Sequence, residues 1–237
     1  MQTQTGTGQV TLAQARLEAS TVFLAKVFNW MAIGLAVTGG LAYLVAQTDL
    51  ALRIASSPLL IVLLLAELGL VFFLSARIDK IQPGTATGLF LFYSALNGLT
   101  LSVIFLAYTR TSIGGTFLIT AGMFAGMAIY GMVTKRDLSG MGSFLFMGLI
   151  GIILASVVNM FLQSSSLYWT ISLIGVLIFV GLTAYDVQKI KTMGEQGIME
   201  QGEAAVQRGA ILGALTLYLD FINLFLLLLR FFGGSRD

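Results

Sequence analysis

Three carboxylates sit in stretches otherwise apolar enough to lie in lipid: Glu67, Asp186 and Asp220. An isolated charge at the centre of a bilayer costs at least ~2.5–3.5 kcal/mol. Carboxyls kept there must face inward, pair, take up protons or line an ion path. A hard cation such as calcium wants oxygen ligands, and Glu67, Asp186, Asp220 and Asn223 supply only those. Few and weak sites of this kind suit passage of an ion, since a full cage would trap it.

The spacing suggests which of them meet. Asp186 closes the sixth apolar run, in Gly181-Leu-Thr-Ala-Tyr-Asp-Val-Gln-Lys-Ile. Asp220 lies in the seventh, in Leu215-Thr-Leu-Tyr-Leu-Asp-Phe-Ile-Asn-Leu-Phe, about 11 residues or about 16 Å from its start. If that last helix begins below the membrane surface, the two carboxyls lie at similar depth. Consecutive spans are usually neighbours, so contact is expected. Two carboxylates in contact cannot both ionise cheaply and would share one proton. Asn223, three residues beyond Asp220 on the same face, is placed to hydrogen-bond the pair. Glu67 is near the centre of the second run. Arg77 ends that run, about 15 Å further along, where it could reach Asp186 as a gate salt bridge. Each residue also has a structural reading. Asp186 could pair with Lys189, Glu67 could be a protonated, hydrogen-bonded glutamate, Asp220 could be structural, and Arg77 could be a topology anchor.

The rest of the composition narrows the chemistry. Of 237 residues, 57% are hydrophobic and 10% charged, and the mean hydropathy is +0.92. Soluble domains average about 25% charged residues, so this is a polytopic membrane protein. Its net charge of +2 gives no reason to expect nucleic acid as a partner. The chain has no cysteine, which excludes disulfides and thiolate metal sites. It has no histidine either, which removes zinc-histidine sites and Ser-His or Cys-His nucleophile pairs. Proton chemistry near neutrality then falls to carboxyls. No cofactor and no catalytic residue is assigned.

The elements that must position these groups are seven apolar runs near the ~20 residues a bilayer crossing needs: 27–46, 59–76, 86–107, 114–133, 142–162, 167–187 and 209–231. The expected fold is all-α, a polytopic membrane protein of seven transmembrane helices. Residues 1–25 read as a polar cytoplasmic segment, 26–232 as the membrane domain and 233–237 as a short tail. The polar start lacks the basic and apolar parts of a secretory signal, so the first span is expected to be retained. Pro58 and Pro83 mark helix starts. The polar stretch from Lys189 to Arg208 is the longest connection and could extend a helix beyond the membrane. Gly84/Gly88, Gly122/Gly126 and Gly209/Gly213 have the spacing of close helix packing, within one protomer or at a dimer face.

One side collects Arg16, Lys26, Arg77, Lys80, Lys135, Arg136, Lys189, Lys191 and Arg208, nine basic residues; the other has four, Arg53, Arg110, Arg230 and Arg236. That bias places the N-terminus in the cytoplasm and, with seven spans, the C-terminus outside. A bacterial inner membrane is the expected location.

The runs Leu217-Tyr-Leu-Asp-Phe-Ile-Asn-Leu-Phe and Ala184-Tyr-Asp-Val-Gln-Lys-Ile-Lys, with the closing Leu229-Arg-Phe-Phe-Gly, resemble the signature of the Bax inhibitor-1 (TMBIM) family. The resemblance implies seven helices with the last one central, and a pH-sensitive calcium leak. It implies that Asp186 and Asp220 are the family's aspartate pH sensor. A second-helix glutamate and a basic residue at that helix's end fall near Glu67 and Arg77, with a spacing one residue shorter than the family pattern.

Two competing readings use the same carboxyls. A proton-coupled ion exchanger is one. The other is a presenilin-type intramembrane aspartyl protease, whose dyad would activate water. Against the protease, Leu217-Tyr-Leu precedes Asp220 in place of Gly-x-Gly, and a downstream Pro-Ala-Leu is missing.

Overall fold

The computed structural model of the chain describes residues 5–234, with side chains from 14 onward. Among these the structure is helical throughout, without a strand. The helices are α1 (Thr5–Val45), α2 (Asp49–Ser56), α3 (Leu59–Arg77), α4 (Pro83–Leu101), α5 (Ile104–Ala107), α6 (Arg110–Val133), α7 (Ser139–Leu162), α8 (Ser165–Glu195) and α9 (Glu203–Phe232). In lipid every backbone N–H and C=O must find a partner inside its own segment, so apolar runs of this length fold as helices.

Seven segments are long and apolar enough to cross a membrane: Gln14–Val45, Leu59–Lys80, Pro83–Ala107, Arg110–Val133, Ser139–Leu162, Ser165–Glu195 and Glu203–Phe232. The shortest has 22 residues, about 33 Å at 1.5 Å per residue, against a hydrocarbon core of about 30 Å. The fold class is therefore the all-α, seven-helix polytopic membrane protein expected from the sequence. Most ends lie further out than the apolar runs, because helical hydrogen bonding continues into polar residues that hydropathy excludes.

Three features of the helices bear on the sequence reading. The boundary drawn at 25/26 falls inside α1, whose polar and apolar parts form one uninterrupted helix. The connection after the first span holds the short helix α2, whose start is capped by the Thr48 hydroxyl accepting from Leu50 N. The polar stretch from Lys189 is largely helical. α8 runs on to Glu195, where Lys191 pairs with Glu195 at 3.6 Å, and one 3-10 turn at Ile198–Glu200 leads into α9. Pro83 occupies the first turn of α4 and Pro58 caps α3, as their missing N–H groups require. Arg236 and residues 235–237 of the tail lie outside the described residues.

The chain divides into two compact units, Met1–Ser102 with Lys189–Leu215 and Val103–Gln188 with Thr216–Asp237. In the first, α1 packs most extensively on α4. Thr38 Oγ1 donates to Ser94 O at 2.8 Å, and Phe90 is fully buried where Gly34 leaves room for its ring. Gln207 Nε2 reaches Thr87 Oγ1 at 3.1 Å.

The second unit has an apolar cluster of Leu145 from α7, Ile178, Phe179 and Leu182 from α8, and Leu224, Leu227 and Leu228 from α9. Phe221 sits edge-on to Phe117 and Phe124 of α6, with ring centroids 5.3 and 5.6 Å away. Near the end of α9, Arg230 lies 4.7 Å over the Tyr168 ring and donates to Ser172 Oγ.

Of the seven spans, α9 is the most buried: 72% of its apolar window is covered, against 6% for α7. On α7, Phe144, Met147 and Phe161 are more than two-thirds exposed, the surface expected of a helix facing lipid tails.

Candidate functional site

The second unit brings Asp186 and Asp220 together. Their side chains are hydrogen-bonding neighbours. α9 begins at Glu203, before the apolar run that starts at 209. Asp220 is 5% exposed and Asp186 is half-buried. Among the described residues, Asp220 Oδ2 has no hydrogen-bond partner. A buried, unfilled carboxyl oxygen costs about 1–3 kcal/mol, so this atom is open to a proton or a cation.

The helices around the pair are held closely. Gly131 of α6 meets the Ala184 carbonyl, and Gly142 of α7 meets the Tyr185 ring, so a Cβ at either position would collide with α8. Asn223, three residues beyond Asp220, is engaged on its own helix. Its Nδ2 donates to Leu219 O at 2.8 Å, four residues back on its own helix. Amide side chains in helices compete in this way for the local carbonyl, and sequence spacing alone does not show it.

In the first unit Glu67 is 7% exposed on α3 and faces three polar residues of α4. Thr100 Oγ1 makes a short hydrogen bond to Oε1, and Asn97 Nδ2 donates to Oε2 at 3.2 Å. Tyr93 shares a side-chain hydrogen bond with Asn97 and lies within electrostatic range of Glu67. Tyr93, Asn97 and Thr100 occur at i, i+4 and i+7, one face of a helix. That spacing was the available signal, and sequence reasoning passed over it because neutral polar residues are cheap in apolar helices. Asn97 Oδ1 is another buried oxygen without a hydrogen-bond partner among the described residues.

Arg77 ends α3, exposed, and forms no ion pair among the described residues. Lys189, the alternative partner for Asp186, is likewise exposed and without an ion pair among them. No group of three or more His, Cys, Asp or Glu positioned to hold a metal ion occurs among the described residues.

Fold and site together define a polytopic helical membrane protein with carboxyls buried in its spans. A family model described as "Inhibitor of apoptosis-promoting Bax1" matches residues 20–237. The chain is 53% identical over 216 residues to "Inner membrane protein YbhL" of Escherichia coli K12, covering 90% of this chain and 92% of the relative. It is 51% identical to an uncharacterized protein of Borreliella burgdorferi, covering 91% and 93%. A Deinococcus radiodurans protein is 46% identical over 232 residues, covering 98% and 96%. This chain belongs to the Bax inhibitor-1 family and is an integral membrane protein.

Proposed function

We propose that the protein is a passive calcium leak of the Bax inhibitor-1 type, made pH-sensitive by the Asp186–Asp220 pair. We place it in a bacterial inner membrane with its N-terminus in the cytoplasm. The observation that carries this reading is the buried contact between two carboxyls on consecutive spanning helices, one of them keeping an unfilled oxygen.

While the pair holds one proton, a hydrogen bond ties α8 to α9 at this point. When that proton leaves, two carboxylates face each other. Charges 4 Å apart repel by about 4 kcal/mol at an effective dielectric of about 20. Conformational states of a gate commonly differ by a few kcal/mol, so this repulsion is enough to shift their balance. The tied state is therefore favoured at low pH and fades as pH rises through the second dissociation of the pair. Glu67, with Asn97, Thr100 and Tyr93 beside it, is a further oxygen-rich station for the cation.

The test is purified protein in liposomes with a calcium gradient and no other energy source. Calcium should run down its gradient, and a transmembrane peptide added to the same protein should stay intact. Strict dependence on an opposing proton flux would establish an exchanger instead. Peptide cleavage lost in Asp220→Asn would establish a protease.

A further inference from the structure

We infer that Gln188 is a positioning residue for the aspartate pair: it ties the α6–α7 turn to the stretch of α8 that carries Asp186. The inference rests on the reading of the pair as the pH-responsive element.

Gln188 lies two residues beyond Asp186 on α8, and its amide grips the turn at both ends. Oε1 accepts from Leu138 N at 2.8 Å, and Nε2 donates to Arg136 O at 2.8 Å. One side chain thus fills a donor and an acceptor that a turn between two spans would otherwise leave to water. The turn is ordered from within as well. Thr134 Oγ1 accepts from Arg136 N at 3.3 Å, and Asp137 Oδ1 accepts from Ser139 N at 2.9 Å. Together with the contacts at Gly131 and Gly142, the α6–α7 hairpin holds α8 at Ala184, Tyr185 and Gln188, on both sides of Asp186 in sequence.

A helix segment held at these points cannot rotate or slide without the turn. The approach of Asp186 to Asp220 is therefore set partly by the turn, and release of Gln188 gives Asp186 room to withdraw. The charged groups of this unit that bear on the pair are few. Asp186 and Asp220 face each other, and Lys135, Arg136 and Asp137 lie on the turn itself. Beyond this unit's boundary, Lys189 follows Asp186 by about one turn on α8. Arg110 begins α6, about 30 Å along the helix from Gly131, and Arg230 is about 15 Å along α9 from Asp220.

The experiment uses the full chain in lipid nanodiscs, with Gln188→Met and Gln188→Asn. Met keeps the length and loses both hydrogen bonds; Asn is too short to make both. The protonated-carboxyl infrared band is followed against pH and assigned with Asp186→Asn and Asp220→Asn. Loosening the pair lowers its mutual repulsion, so both variants should move the titration midpoint down by about half a pH unit, roughly threefold in proton affinity. A midpoint unchanged in folded, monodisperse variants would overturn the inference. Failure of both variants to fold would also overturn it, since Gln188 would then serve the fold alone. If the midpoint moves while wild-type calcium flux in liposomes is insensitive to pH, the positioning role stands and the leak reading falls.

Discussion

Glu67 is bound from one side by donors of a single helix, which makes its environment separable from that of the aspartates. Thr100→Val removes one of the two donors to a buried carboxyl. A lost partner at a buried polar group costs about 1–3 kcal/mol, so the variant should unfold measurably earlier than wild type in a detergent melt. An unchanged melt would mean that water replaces Thr100. Glu67→Gln keeps an oxygen acceptor and loses the charge. It should alter the calcium rate or its apparent affinity and leave the pH midpoint in place; a displaced midpoint would couple Glu67 to the pair. At this scale the sequence was informative where a residue was costly. A carboxylate in an apolar run stands out, and Asp186, Asp220 and Glu67 stood out for that reason. Tyr93, Asn97, Thr100 and Gln188 did not, because neutral side chains satisfied by neighbours carry no visible penalty. For Asn223, spacing shows a shared face but not that its Nδ2 donates to Leu219 O.

The helices themselves were legible from hydropathy, but most of their contacts were not. Of the three glycine pairs picked out by spacing, Gly209 and Gly213 pack against Ile198, Phe23, Val27 and Ile190. Gly84, Gly88, Gly122 and Gly126 face open space, while the close approach on α6 falls at Gly131. Spacing identifies a face and leaves open what covers it. Two substitutions on α6 should therefore part company. Gly122→Ala should be neutral or gain up to about 1 kcal/mol from helix propensity. Gly131→Ala forces a Cβ against the Ala184 backbone and should lose about 1–3 kcal/mol. Equal melting temperatures for the two would show that α6 and α8 do not meet as described. The turn after α6 gives a prediction outside the membrane. The Ser139 hydroxyl, and after it the Ser139 backbone N–H, hold the Asp137 carboxyl below the ordinary aspartate value. The sign follows from that depression: this cap is present above the unfolded-state value and is lost as pH falls through the lower folded one. A carbon-13 carboxyl titration should find Asp137 low, and Ser139→Ala should raise its midpoint; no rise would leave the backbone N–H as the sole cause.

For the whole molecule, the proposed orientation, drawn from seven spans and the nine-to-four bias of basic residues, predicts Gln82 in the cytoplasm and Gln47 outside. The chain has no cysteine, so one can be introduced at either position without background. An impermeant thiol reagent added to intact cells should label Gln47→Cys and spare Gln82→Cys, and the reverse would invert the orientation. Span number could be anticipated because lipid leaves a chain so few choices, whereas a central last helix was implied only by the family resemblance. The division into two units could not, since it depends on contacts between segments distant in sequence. The central claim is that two touching carboxyls make the leak respond to pH, and calcium flux into liposomes across a pH series tests it most directly. Wild type should change its rate through a single transition. Asp186→Asn and Asp220→Asn should each flatten that profile, because neither retains two carboxylates to repel. Wild-type pH profiles in both variants would contradict the account and return the two aspartates to a structural role.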